Sequence, residues 1–409
     1  MARTLFLSFM IIKQVLVVLS QQSSSDTNIQ HYPPNNSTTF LITNDVPWYD
    51  NNGNVMETNR GGKITKIGTE FYWLGILPLT NHILFYKSST LGSESWVLVR
   101  TIHLELPIDP PPEHNTLLSC QLHQHPKSHI NYIFCKNGLW FMQEEPNLDP
   151  TIGSYKALPI PKDPSMLSQY KFGGESTYQE DDDLYLIVSR CRYRQNSDKV
   201  DRNARKLFIY KFNDQWTDFD SEIIRFPWVG REAPWIIKRQ NMYYIFVSQT
   251  KGWKDSETFY KQSDTMKGFK DAIEKKVFMH PNDTKSIKSM GSQFRFVMEP
   301  EYGSDKWIFG GNRYPLEAPD IWDSRYGRHI MVPMNFIDGV PHVYWKRKYD
   351  WLTYGYNGDY DEHNHGGNGH RPIKSSDDLL EQDRMKKTKS SDYLLEQEQM
   401  KNFDFEQEQ

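Results

Sequence analysis

An aromatic, strand-forming triplet returns five times along this chain, at intervals of roughly 50 to 65 residues, the signature of a structural repeat. The copies are Phe71-Tyr72-Trp73, Tyr132-Ile133-Phe134, Tyr185-Leu186-Ile187, Tyr243-Tyr244-Ile245 and Trp307-Ile308-Phe309. Each follows a turn-forming Gly, Asp, Asn or Gln and precedes a small residue: Gly75, Cys135, Ser189, Ser248 or Gly310. A unit of that length accommodates one four-stranded blade. Five units therefore predict an all-β chain folded as a five-bladed β-propeller with a pocket at its centre.

Composition agrees with this reading. Aromatic residues make up 14% of the 409-residue chain, and aromatics favour strands. Strand-like runs such as Trp96-Val97-Leu98-Val99, Leu207-Phe208-Ile209-Tyr210 and Ile330-Met331-Val332-Pro333 dominate. The best helical candidate is a short piece near Met266 to Lys275. A net charge of only -4 gives no electrostatic footprint for nucleic acid. No cofactor or metal motif is recognised, and oligomeric state is not specified.

Residues 1–20 read as a signal peptide, with Arg3 before an apolar run, small residues Val18 and Ser20 at the cleavage site, and Gln21 as the new N-terminus. Lys13 interrupts the run, which is short for a membrane span. No later run is apolar enough to cross a bilayer, so the chain is expected to be secreted with no span after cleavage. Asn35, Asn36 and Asn282 begin glycosylation triplets. Residues 21–44 are Ser/Gln/Asn-rich and read as a flexible segment, 45–352 as the propeller, and 353–409 as a low-complexity, disordered tail. That tail holds a Gly/Asn/His-rich stretch (His363, His365, His370) and a near-repeat, Lys374 to Gln382 and Lys389 to Gln397, which reads as disordered or a weak partner-binding segment. Cys120 and Cys135 lie on adjacent strand-like segments and are the expected disulfide, which leaves Cys191 over.

Chemistry concentrates where strands enter the predicted hub. Arg231-Glu232-Ala233-Pro234 precedes the fourth triplet. A carboxylate there would be partly desolvated and suited to act as a general acid; the alternative is a surface ion pair with Arg231. One repeat earlier, Phe172-Gly173-Gly174-Glu175 puts Glu175 in the equivalent place. The Asp181-Asp182-Asp183 run after it reads as a turn and lacks the ligand spacing of a calcium loop. One repeat later, Gly291-Ser292-Gln293 supplies an amide able to hold a hydroxyl or a water.

With those residues in place, the chain resembles glycoside hydrolase family 43, and most of all its galactan exo-β-1,3-galactosidase branch. Asp50 to Asn54, Gly61-Gly62-Lys63-Ile64 and Phe71 to Gly75 resemble the opening blade. Arg231 to Pro234 with Tyr243-Tyr244 and Gly252-Trp253 resembles the acid blade. Gly291-Ser292-Gln293, Gly311-Asn312-Arg313 and Asp323-Ser324-Arg325-Tyr326 resemble the last. The resemblance implies an inverting exo-glycosidase acting on carbohydrate. Glu232 would be the general acid, Glu175 the carboxylate that tunes it, and Gln293 would position the attacking water. Arg313, Trp73, Trp253 and Arg60 would contact the sugar. The chain departs from the branch at Arg60, where the branch has His, and at Ile76 and around Ser119 to Gln121, where it has Glu. Such losses fit a second reading, a propeller that binds carbohydrate without cleaving it, and a third, an extracellular interaction protein that uses the propeller rim and the repeated tail.

Overall fold

A computed structural model describes residues 40–58, 62–77, 80–105, 117–136, 139–159, 170–193, 200–252, 254–280, 288–314 and 328–354. They build five antiparallel-based sheets. The first blade contains β2 (Ile64–Ile67), β3 (Glu70–Ile76), β4 (His82–Ser88) and β5 (Val97–His103). The second contains β6 (Gln121–Gln124), β7 (Asn131–Cys135), β8 (Leu139–Gln143) and β9 (Tyr155–Ala157). The third contains β10 (Tyr170–Glu180), β11 (Asp183–Tyr193), β12 (Val200–Phe212) and β13 (Phe219–Pro227), and the fourth β14 (Arg231–Arg239), β15 (Met242–Gln249), β16 (Thr258–Ser263) and β17 (Lys275–Lys276).

The fifth blade breaks the pattern. Its strands are β18 (Phe278–His280), β19 (Gln293–Met298), β20 (Trp307–Arg313), β21 (Arg328–Ile337) and β22 (Val340–Tyr344), in the order β18-β22-β21-β20-β19. On leaving the fourth blade the chain first lays β18 parallel to β22 on the outer edge. Only then does it enter the hub through β19. A small extra sheet pairs β1 (Leu41–Thr43) with β23 (Lys348–Asp350), so ordered structure begins within the stretch read as flexible. Pairing with β23 and burial of Ile42 hold that strand in place.

The five aromatic triplets occupy the second strand of every blade: β3, β7, β11, β15 and β20. That strand is covered on both faces, and side chains alternate across a strand. Thus Phe71 and Trp73 pack to one side of the first blade, while Tyr72, Leu74 and Ile76 pack to the other. Five apolar clusters result, one at each interface between neighbouring blades. The cluster between the last blade and the first also takes in Ile42, Trp48, Tyr349 and Trp351. Ring closure is therefore made from the same material as the other interfaces.

The helix expected near Met266 to Lys275 is a single 3-10 turn, Lys267–Lys270, followed by β17. Gly268 within it weakens any longer helix. Cys120 and Cys135 form the disulfide, and Cys191 is buried outside it. The proposed signal peptide, the three glycosylation triplets, the His-rich stretch and the near-repeat all lie outside the described residues. Among the described residues no helix is long and apolar enough to cross a membrane.

Candidate active site at the hub

Every blade sends residues from its innermost strand, or from the turn leading into it, to one cavity. It is open to solvent and has a volume of about 180 Å³. The first blade contributes Lys63, the second Ser119 and Lys136, and the third Gly174, Glu175 and Arg205. Glu232, Ala233 and Gly252 come from the fourth, and Gln293 and Arg295 from the fifth. The three residues singled out for chemistry therefore do converge.

Backbone irregularity aims them. The register slips between Phe172 and Glu175 in β10, between Glu232 and Trp235 in β14, and between Phe294 and Phe296 in β19. A bulge re-aims side chains next to a site. In β14 the slip holds Ala233 at a φ of +51°, a conformation that is costly for a residue with a Cβ. In β10 it holds Gly174 at +139°. A Cβ at Gly174 would lie 2.8 Å from the Ala233 nitrogen, so glycine lets the two bulges nest. Glu175 and Glu232, from adjacent blades, both line the cavity.

The Glu232 carboxyl is held from two sides. Gln293 Nε2 donates to its Oε1 at 3.0 Å. Arg205 Nη1 lies 3.7 Å from its Oε2, with both side chains largely buried. Arg205 is steadied in turn by Ser189 Oγ at 3.3 Å and by the Arg231 carbonyl at 3.4 Å. Arg231 itself does not pair with Glu232. It makes a two-pronged ion pair with Glu274, at 2.8 and 2.6 Å, and lies over the Phe259 ring. An amide suits either protonation state of its neighbour. Its Nε2 donates to a carboxylate, and turned over, its Oε1 accepts from the acid.

Behind the hub sit two buried histidines. His329 contacts Thr58 Oγ1 at 2.6 Å and Asn312 Oδ1 at 3.2 Å, and Asn312 is opposite Gln293 in register. Burial, with a smaller push from Arg295 and Arg328, takes its pKa down to about 3. His123 contacts Thr177 Oγ1 at 2.6 Å. Burial lowers its pKa to about 4, despite a hydrogen bond to Gln179 Oε1 that works the other way.

The expected sugar-contacting residues fare differently. Trp73 is buried in the cluster between the first and last blades, and its Nε1 donates to the Gly62 carbonyl at 3.1 Å. It is core, not the floor of the cavity, because β3 is covered on both faces. Arg313 is not among the lining residues either. It pairs with Asp45 at 2.7 Å, donates to the Met290 carbonyl at 3.1 Å through Nε, and lies over Trp345. Its guanidinium clamps the turn that leads into β19. Arg60 and Trp253 lie outside the described residues. Lys136 and Arg205 had no motif to announce them. Arg205 reaches the hub from β12, the third strand of its blade, so position in the repeat did not reveal it.

No family model matches the sequence, and no curated protein matches it. Solved structures do match. An exo-β-1,3-galactanase from Phanerochaete chrysosporium, solved with β-1,3-galactotriose, is 19% identical over 75% of this chain and 67% of that one, with a TM-score of 0.58. An exo-β-1,3-galactanase from Clostridium thermocellum is 18% identical over 76% of this chain and 66% of that one, with a TM-score of 0.59. A family 43 β-1,3-galactosidase solved with galactodeoxynojirimycin is 17% identical over 75% of this chain and 99% of that one, with a TM-score of 0.55. At these identities the likeness establishes a shared fold, the five-bladed propeller of family 43 galactanases and galactosidases.

Proposed function

We propose that this chain is a secreted glycoside hydrolase, an inverting exo-glycosidase acting on β-linked, galactose-type glycans. The observation that carries the reading is one cavity lined by Glu175, Glu232 and Gln293 from three consecutive blades. In the reaction Glu232 gives a proton to the departing glycosidic oxygen, and a water attacks the opposite face of the sugar. Once the bound sugar parts it from Glu232, Gln293 orients that water. An amide is a weak base, so the device depends on positioning and on excluding bulk solvent. Glu175 tunes the acid from the neighbouring blade. The galactose-type substrate follows the sugars bound by the solved galactanases.

The test is a screen of the purified protein against aryl β-galactosides and β-1,3-galactan oligosaccharides, with the product anomer read by NMR. Glu232→Gln should retain the wild-type melting temperature and lose at least about a hundredfold in turnover, the lower end of general-acid contributions. Sugar release by that variant at the wild-type rate would sink the reading. Secretion rests on residues 1–20; recovery from culture medium with Gln21 at the N-terminus is its check.

One observation favours a second reading, a propeller that binds carbohydrate without cleaving it. Both oxygens of Glu232 face donors, Gln293 on one side and Arg205 on the other. Donors on both sides suit a carboxylate kept to accept a ligand's hydroxyls. Saturable sugar binding beside no product after long incubation would select this reading.

A further inference from the structure

The lining of the hub is more basic than a neutral sugar requires. Among the described residues, Lys63, Lys136, Arg205 and Arg295 face Glu175 and Glu232, an excess of two positive charges. Arg205 is committed to Glu232, and Arg295 donates to Ser119 Oγ at 3.1 Å. Lys63 is different. Its residue is only 5% exposed, yet among the described residues it has no hydrogen-bonded or ionic partner. Its Nζ lies 3.8 Å from the centre of the ring of Trp235 in the fourth blade. Trp235 is fixed there by its own Nε1, which donates to the Val297 carbonyl at 2.6 Å.

A buried ammonium is costly unless paired. A cation–π contact offsets part of that cost, but an aromatic face is not a counter-charge. Burial, and secondarily the charge of Arg295, hold the Lys63 pKa well below the usual lysine range. A bound anion would work against that lowering, because it favours the charged form of the amine.

We infer that the ligand of this hub is an acidic sugar, whose carboxylate or sulfate ester sits on Lys63 with Arg295 and Lys136 around it. The inference rests on the carbohydrate reading of the hub and narrows its substrate class. Guanidinium and ammonium groups are suited to both anions, the former as a planar fork and the latter as a point charge. The sugar's remaining hydroxyls would meet Glu175, Glu232 and Gln293.

The experiment is titration calorimetry on the full chain with galactose, galacturonate and galactose 6-sulfate at low and moderate salt. At low salt at least one charged sugar should bind about tenfold or more tighter than galactose, the factor supplied by about 1.4 kcal/mol. The better of the two identifies the anion as carboxylate or sulfate ester. Lys63→Met should erase the preference for the charged sugar. Arg295→Gln, at a half-buried position of the same cavity, should weaken the preference and provides the reading if the first variant does not fold. Equal binding of charged and neutral sugars, no binding of any, or a preference that survives Lys63→Met with its fold intact would overturn the inference. The readout needs no turnover. A charge preference without hydrolysis defeats the hydrolase reading alone, and hydrolysis of neutral galactosides without a charge preference defeats this inference alone.

Discussion

At the scale of single residues, the two buried histidines give the molecule a direction of pH sensitivity. In the unfolded chain each takes up a proton below about pH 6.5. In the fold they stay neutral until about pH 4 for His123 and about pH 3 for His329. The unfolded state therefore binds more protons across that window, and stability must fall as pH falls through it. The slope is roughly 1.4 kcal/mol per pH unit for each histidine. Urea midpoints measured between pH 7 and pH 4.5 should drop accordingly, and His123→Gln with His329→Gln should flatten the profile. A profile unchanged by the double variant would show that other groups control acid unfolding. Residue identity also decided which positions could be placed from the sequence. Glu175, Glu232 and Gln293 were legible because each stands at the same point of its repeat, just where an innermost strand enters the hub. Trp73 was misread because an aromatic in a strand looks the same whether its ring meets a sugar or a neighbouring blade. Only burial on both faces of β3 tells the two apart.

At the scale of elements, the second strand of each blade was visible from sequence because double coverage makes it continuously apolar. The fifth blade was not. Nothing in the residues Phe278-Met279-His280 tells that they cross to the next sheet and run parallel to β22 before β19 begins. The bulges were equally hidden, since a slip in register leaves composition unchanged. The second blade adds a covalent brace. Cys120 and Cys135, separated by 15 positions, tie the start of β6 to the end of β7. Their immediate neighbours Ser119 and Lys136 both line the hub. For a loop of this size the cross-link contributes about 3 kcal/mol by restricting the unfolded chain. Cys120→Ser with Cys135→Ser should lose about that much in denaturant unfolding, and should also weaken ligand binding by loosening Ser119 and Lys136. Full retention of both would show that the strand pairing alone holds this corner.

At the scale of the whole molecule, the ring is shut by one side chain as much as by a sheet. Asn44 is fully buried. Its Nδ2 donates to the carbonyls of Met331 at 2.7 Å and Lys346 at 2.8 Å, and its Oδ1 accepts from the Met331 N–H at 2.7 Å. The amide thus stands in for a missing strand beside β21. Asn44→Leu would leave the Met331 N–H and carbonyl buried without that partner, at about 1–3 kcal/mol each. The melting temperature should fall by more than for any exposed substitution, with unfolding still cooperative; an unchanged melting temperature would contradict the closing role. Fold class, blade number and the location of the hub were legible in the sequence, because a repeat records them five times over. The closure was not, because it happens once and depends on residues 300 positions apart in the chain.

Beside that closure, the Trp351 backbone N–H donates to the Phe40 carbonyl at 3.1 Å, so the two ends of the described wheel touch. A circle with touching ends has no privileged starting point. A permuted gene could splice residue 354 to residue 40 through a short linker and open instead at the fully exposed Tyr302 turn. It would encode the same five sectors in the same cyclic order, with both tails moved to a new place on the circumference.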